Sequence, residues 1–293
     1  MQSLLKWKMW KERSGTPASE KFGVFSSEFG VFCYKSQNSE FRILPSAIKL
    51  LLPFLFTTLL ILILFFPLPL LPQNHPASEW NLLYPKIRDR LISKEMAQEK
   101  LRELEVLLKD LYLKTTDREQ GDRLCFPLRG YGPSAIGGKE GSGYQIHGYD
   151  FFDGNQHKGH PGHDIFIRDK NQDCIDDVTQ KSVEVIAAAP GIVVSVHLHW
   201  EPSSPIRGGN YIWIFEPTKS RYYYYAHLDE IFIKVGQVVY KGERLGTVGR
   251  TGVKAYPKKS PTHLHFTVHQ SKDGYPKPIN PFMELVKASR EEK

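Results

Sequence analysis

After Lys49 the chain reads LLLPFLFTTLLILILFFPLPLLP, and no charged side chain returns until Glu79. Leu50–Leu71 matches the ~20 residues that span a bilayer, although prolines fall at 53, 67, 69 and 72. The proline-free part, Phe54–Phe66, equally has the length of a signal-peptide apolar region, without an A-x-A site after it. Prolines so placed would break a soluble helix. Residues 50–72 are therefore read as a transmembrane or signal segment that sends the following chain across a membrane. Residues 1–49 lack a helical or strand period. FGVF at Phe22–Phe25 echoes at Phe29–Phe32, too short and irregular for a repeat array. They are expected to be a cytoplasmic or disordered tail, or an extension upstream of the true start.

A helical pattern opens at Ser93. Met96, Leu101, Leu104, Leu108 and Leu111 follow the capping serine at three- and four-residue spacing, and Glu105 is placed to pair with Lys109. This helix, within a linker over 73–124, is expected either as a short α-helical stalk or as a helix packed on the domain. After Cys125 the texture changes. Val183–Ile186, Ile192–Leu198, Tyr211–Phe215, Tyr222–Tyr225, Gly246–Val248 and Leu264–Val268 are rich in β-formers and separated by Gly, Pro and Asn. They predict a compact, mainly β domain over 125–293.

Charge adds a topology. Residues 1–49 carry eight Lys/Arg against four Asp/Glu, more than half of the chain's +7 excess. The basic side is expected to stay in the cytoplasm. No nucleic-acid signature or basic arm occurs. Cys33 precedes the apolar run, whereas Cys125 and Cys174 follow it and form a candidate disulfide in an exported domain. No CxxC pair is present to suggest a thiolate metal site.

The candidate chemistry lies in the histidines: GHPGHDIF (His160, His163, Asp164), YYYYAHL (His227) and THLHFTV (His263, His265). On a strand, His263 and His265 share one face while Leu264 and Phe266 take the other. A turn at Gly162 can aim His160 and Asp164 at one point. Nitrogen and oxygen donors without thiolate suit a catalytic zinc site, in which three protein ligands leave a fourth position for water. His197, His199 and His269 read as ordinary surface or strand residues.

This set resembles the lysostaphin/LytM-type zinc endopeptidases: HxxxD with glycine at its second intervening position, an isolated AHL, then HLHF. The phrase GQVVYKGERLGTVGRTG (Gly236–Gly252) is similar to that family's glycine-punctuated hairpins. The resemblance covers about residues 145–270. It implies a small antiparallel β-sheet, barrel-like domain with a groove, zinc on His160, Asp164 and His265, and catalytic roles for His227 and His263. It also implies peptidoglycan cross-links as substrate, in a bacterial cell envelope. The stretch VKAYPKKSP before Thr262 is longer than the family's usual turn, and His157 and His163 are alternative imidazoles near His160.

The segment DKNQDCIDD offers Asp169, Asn171, Asp173 and Asp177 at spacings that open a calcium loop. Cys174 stands where such a loop has glycine, so an acidic turn competes with a second metal site. Two further readings of the whole are a D-Ala-D-Ala-type carboxypeptidase and a non-catalytic envelope scaffold that activates another hydrolase.

Overall fold

The structure, a computed structural model, describes residues 8–11, 22–25, 32–34, 75–116, 121 and 123–291. The chain divides into two compact units, residues 1–73 and 74–293. In the first, β1 (Lys8–Lys11), β2 (Phe22–Phe25) and β3 (Phe32–Tyr34) form an antiparallel sheet in that order. The expected membrane or signal segment, 50–72, lies outside the described residues. Among the described residues, no helix is long and apolar enough to cross a membrane.

The second unit is built on an antiparallel sheet. Its strands are β4 (Gly162–Phe166), β5 (Glu184–Ile186), β6 (Gly191–His197), β7 (Asn210–Glu216), β8 (Arg221–Ile231), β9 (Val238–Val239), β10 (Arg244–Val248), β11 (His263–Lys272) and β12 (Tyr275–Ile279). The order is β12-β11-β8-β7-β6-β9, with β4 paired to β11, and β10 joining β5 to β8. The sheet stays open, which corrects the barrel-like expectation. One end is β12, YPKPI, whose Pro276 and Pro278 have no N–H to give a further strand.

Side-chain alternation sorts the two faces. Tyr223, Tyr225, Leu264, Phe266 and Val268 are buried on one face with Ile165 and Val185. Tyr211, Trp213, Phe215, Tyr222 and Ala226 lie in the core of the other. Two helices pack into that second core: α1 (Pro76–Arg88) and α2 (Lys94–Thr115). A third, α3 (Phe282–Glu291), buries Leu285 in the first core.

The sequence reading did not anticipate α1. It starts on His75, whose Nδ1 accepts from Ala77 N at 3.3 Å, and carries Pro76 in its first turn and Arg88 in its last. Trp80, fully buried, donates from Nε1 to the Tyr222 hydroxyl at 3.2 Å. For α2, Ser93 is the cap as expected, and Ala97, Leu101, Leu104, Leu108 and Tyr112 form the buried stripe. The helix is therefore packed on the domain, and the stalk is corrected. Glu105 also departs from expectation. Instead of pairing with Lys109 it turns inward, and its Oε1 accepts from the Tyr222 hydroxyl at 2.9 Å and Ser271 Oγ at 2.6 Å. Two buried hydroxyl donors satisfy that carboxylate better than one exposed ammonium, which contributes little in water.

Candidate metal centre and cleft

Strand pairing sets half of the site. β11 runs antiparallel to β4 with His265 opposite Asp164 and Thr267 opposite Gly162. His265 Nδ1 lies 2.9 Å from Asp164 Oδ1. The strands approach so closely that a Cβ on Gly162 would stand 2.4 Å from Phe266 O, which accounts for the glycine between His160 and Asp164. His160 enters from the preceding turn, held by a bridge to Gln145. Its Nε2 is 3.1 Å from Asp164 Oδ1 and 3.1 Å from His265 Nδ1.

These three donor atoms converge as a metal site requires, and they form the one such grouping found among the described residues. His160 Nδ1 lies 2.8 Å from Gly143 O. A carbonyl can only accept, so Nδ1 carries the proton and Nε2 presents a lone pair. That lone pair faces a carboxylate oxygen and a second imidazole nitrogen, an arrangement that needs a proton or a cation at its centre. Two imidazoles and a carboxylate, one imidazole oriented by a carbonyl behind it, fit zinc.

His263 and His227 stand beside this triad. Their ring centroids are 4.9 Å apart. His263 Nδ1 donates to Pro261 O at 2.7 Å, and His227 Nδ1 donates to Thr251 O at 2.7 Å. Both therefore keep an unprotonated Nε2 in the neutral state. His227 is aimed by a bulge: Asn210 pairs with Leu228 and Tyr211 with Ala226, which leaves His227 as the extra residue, at φ 65°.

Electrostatics separate the roles. Burial alone would raise the Asp164 carboxyl, but hydrogen bonds from His160 and His265 prevail and hold it far below the usual carboxylate range. Burial lowers His160 too, but the Asp164 carboxylate outweighs this and raises it overall, so protons compete with a metal there. Burial lowers His265, and burial followed by the neighbouring His263 and His265 charges lowers His227 further, favouring neutral imidazoles.

The triad opens into a cleft on the same face of the sheet as α1 and α2. Tyr224, Trp213 and His269 contribute to its floor, and Tyr84 of α1, Tyr149 and Arg207 to its walls. Sequence reasoning did not pick out Tyr84, Tyr149 or Arg207. Of the four tyrosines in YYYY, Tyr224 lines the cleft, while Tyr222, Tyr223 and Tyr225 are fully buried. His269 is a satisfied interior residue, with Nε2 2.8 Å from the Tyr149 hydroxyl. The long 253–261 loop forms part of the rim through Lys254 and Ala255. Arg250 staples it, donating to Ser260 O at 2.6 Å and Pro257 O at 3.0 Å.

Other expected groups do not join the ligand triad. His163, next to Asp164 on a strand, points to the opposite face and pairs with Asn280 Oδ1 at 2.9 Å. His157 lies 3.4 Å from Arg207 Nη1. The acidic segment gathers no second metal site, because its side chains serve its own turn. Asp169 accepts from Cys174 N at 2.9 Å and Thr262 Oγ1 at 2.6 Å, Asp173 from Ile175 N at 2.9 Å and Asn171 Nδ2 at 2.7 Å, and Asp177 from Lys170 N at 3.1 Å. The calcium expectation is withdrawn accordingly. Cys125 and Cys174 are not bonded to one another. The Cys125 thiol is buried against Ala187 O at 3.1 Å, whereas the acidic turn holds Cys174 beside Asp169.

Residues 170–281 match peptidase family M23, a span that includes His227, His263 and His265 and begins after His160 and Asp164. Among solved structures, the chain is similar to the catalytic domain of the antimicrobial peptidase lysostaphin from Staphylococcus simulans, at 26% identity over 44% of this chain and 80% of that one, with a TM-score of 0.31. A putative glycyl-glycine endopeptidase lytM from Ruminococcus gnavus is 19% identical over 73% of this chain and 96% of that one, with a TM-score of 0.39. A zinc containing peptidase from Vibrio cholerae is 22% identical over 53% of this chain, with a TM-score of 0.34, and this chain spans 39% of its length. No curated protein matches.

Proposed function

We propose that the chain, whose residues 170–281 match peptidase family M23, is a zinc-dependent endopeptidase of the lysostaphin/LytM type that hydrolyses amide bonds in peptidoglycan stem-peptide cross-links. The observation that carries this reading is the convergence of His160, Asp164 and His265 donor atoms beside two histidines whose Nδ1 atoms are tied to backbone carbonyls. His160 Nε2, one Asp164 oxygen and His265 Nδ1 would hold the zinc. When bound, it would acidify a water and polarise the substrate carbonyl.

The chain's own residues supply the proton traffic. His227 is kept neutral by burial and presents an acceptor. Of the two roles open to it, hydrogen bonding to the attacking water suits that atom, and donation to an oxyanion does not. His263, with Nδ1 anchored on Pro261 O, takes the water's proton at Nε2 and passes it to the leaving amine. The aromatic floor holds the peptide and keeps bulk water from it. This activity calls for the domain to lie outside the cytoplasm, and the apolar stretch 50–72 supports its export.

A digest of purified sacculi by the full chain, read by mass spectrometry with and without chelator, tests the reading. Separation of cross-linked stems, stopped by chelation and restored by zinc, is expected. Intact cross-links with zinc-loaded protein would overturn it, and release of free alanine alone would replace it with the carboxypeptidase reading.

A further inference from the structure

Among the described residues, one wall of the cleft carries a cation with no counter-ion. Arg207 spends only Nη1, which donates to His157 O at 3.0 Å and Asn155 O at 3.3 Å and lies 3.4 Å from His157 Nε2. Among the described residues, Nε and Nη2 have no partner, and no carboxylate pairs with the guanidinium. Arg88, on the same cleft, shows the contrast: Asp89 engages it at 2.8 and 2.6 Å.

The backbone that presents Arg207 is closely fitted. A Cβ on Gly208 would lie 1.9 Å from the Tyr224 hydroxyl, and one on Gly252 would lie 2.4 Å from Arg207 O. The backbone carrying Arg207 is therefore fitted closely between Tyr224 and the turn at Gly252, and the guanidinium is held by Asn155 O and His157 O. Arg207 and Lys254 line the cleft, Arg88 beside them is paired with Asp89, and the cleft's carboxylate, Asp164, is engaged by His160 and His265. The surplus is cationic, and a cleft with low-dielectric walls concentrates anions.

Resting on the peptidase reading, we propose that Arg207 is a specificity residue that binds a free carboxylate next to the amide being cut. A planar guanidinium with two open N–H directions matches a carboxylate in fork geometry. The substrate class is thus a peptide whose scissile amide lies beside an amino acid with an unblocked carboxyl group. An uncharged bridge remote from any carboxylate would leave the guanidinium unpaired.

The test is calorimetric binding of two synthetic stem-peptide dimers to the full chain in chelator. The dimers differ only in whether the carboxyl group beside the cross-link amide is free or amidated. The wild type should bind the free acid about ten- to a hundredfold more tightly, the usual strength of a charge-assisted pair. Arg207→Gln should abolish the preference while leaving affinity for the amidated dimer unchanged, and Arg207→Lys should retain part of it. No preference in the wild type, or equal weakening of both dimers by Arg207→Gln, would overturn the proposal. Because the readout needs neither metal nor turnover, failure to bind zinc or to hydrolyse would count against the peptidase reading and not against this one.

Discussion

His265 on β11 stands opposite Asp164 on β4, and its Nδ1 lies 2.9 Å from the carboxylate oxygen. Two of the three proposed ligands are thus set by strand register, which a loop movement cannot disturb. Gly162 permits that register because a Cβ there would collide with Phe266 O. Gly162→Ala should force β4 away from β11, lowering zinc affinity at least tenfold and stability by about 1–3 kcal/mol. Zinc titration and denaturant unfolding of the variant check both; unchanged affinity would show that the register does not set the site.

His227 lies in a bulge and touches the site without belonging to the ligand triad. His227→Ala should retain metal and lose roughly 10²–10⁴-fold in activity, the range for removing a proton-accepting group. Gly252→Ala should act in the same direction, since its Cβ would come within 2.9 Å of His227 Nδ1. Metal analysis alongside steady-state rates decides this, and loss of metal from His227→Ala would contradict it.

The packing of α1 on the sheet makes the helix part of the domain. Trp80→Ala should destabilise the protein by about 3–5 kcal/mol, as for other large buried side chains. It should also weaken substrate binding, because α1 carries Tyr84 into the cleft. Urea unfolding measures the first effect, and an independent stalk would show no change.

His269 gives a pH signature. Burial holds its imidazole down at about 3, whereas in the unfolded chain it titrates near ~6.5. Below that value the unfolded chain binds a proton that the folded one refuses. Stability from this residue is therefore full above pH ~6.5 and falls as the pH drops toward 3. His157, lowered by burial and by Arg207 to about 4, adds in the same sense. Denaturation midpoints measured across this range should fall less steeply for His269→Gln than for wild type; parallel curves would refute the assignment.

Much of the site could be read in the sequence because its geometry has short periods. HLHF alternates, so His263 and His265 had to share a face, whereas the glycine inside HxxxD, read as a turn, lies in strand β4 and permits a close approach to β11. The rest depends on contacts distant in sequence. Nothing local announces that Ala226-His227-Leu228 forms a bulge, or that Arg207 stands without a carboxylate among the described residues. For α1 the signals were present (a capping His75, Pro76, Glu79 in the first turn and Arg88 in the last), but Pro85 and the adjoining proline-rich run obscured them. Glu105 and the acidic turn misled in a common way. Their spacing suggested ordinary partners, while buried hydroxyls and backbone amides nearby were the better ones.

The central claim is that His160, Asp164 and His265 hold the metal while His263 does not. Its most direct test is zinc content, measured side by side for wild type, His265→Ala and His263→Ala after identical dialysis. The account predicts about one equivalent in wild type and in His263→Ala, and essentially none in His265→Ala. Zinc lost from His263→Ala and kept by His265→Ala would contradict it, and the strand's two histidines would exchange roles.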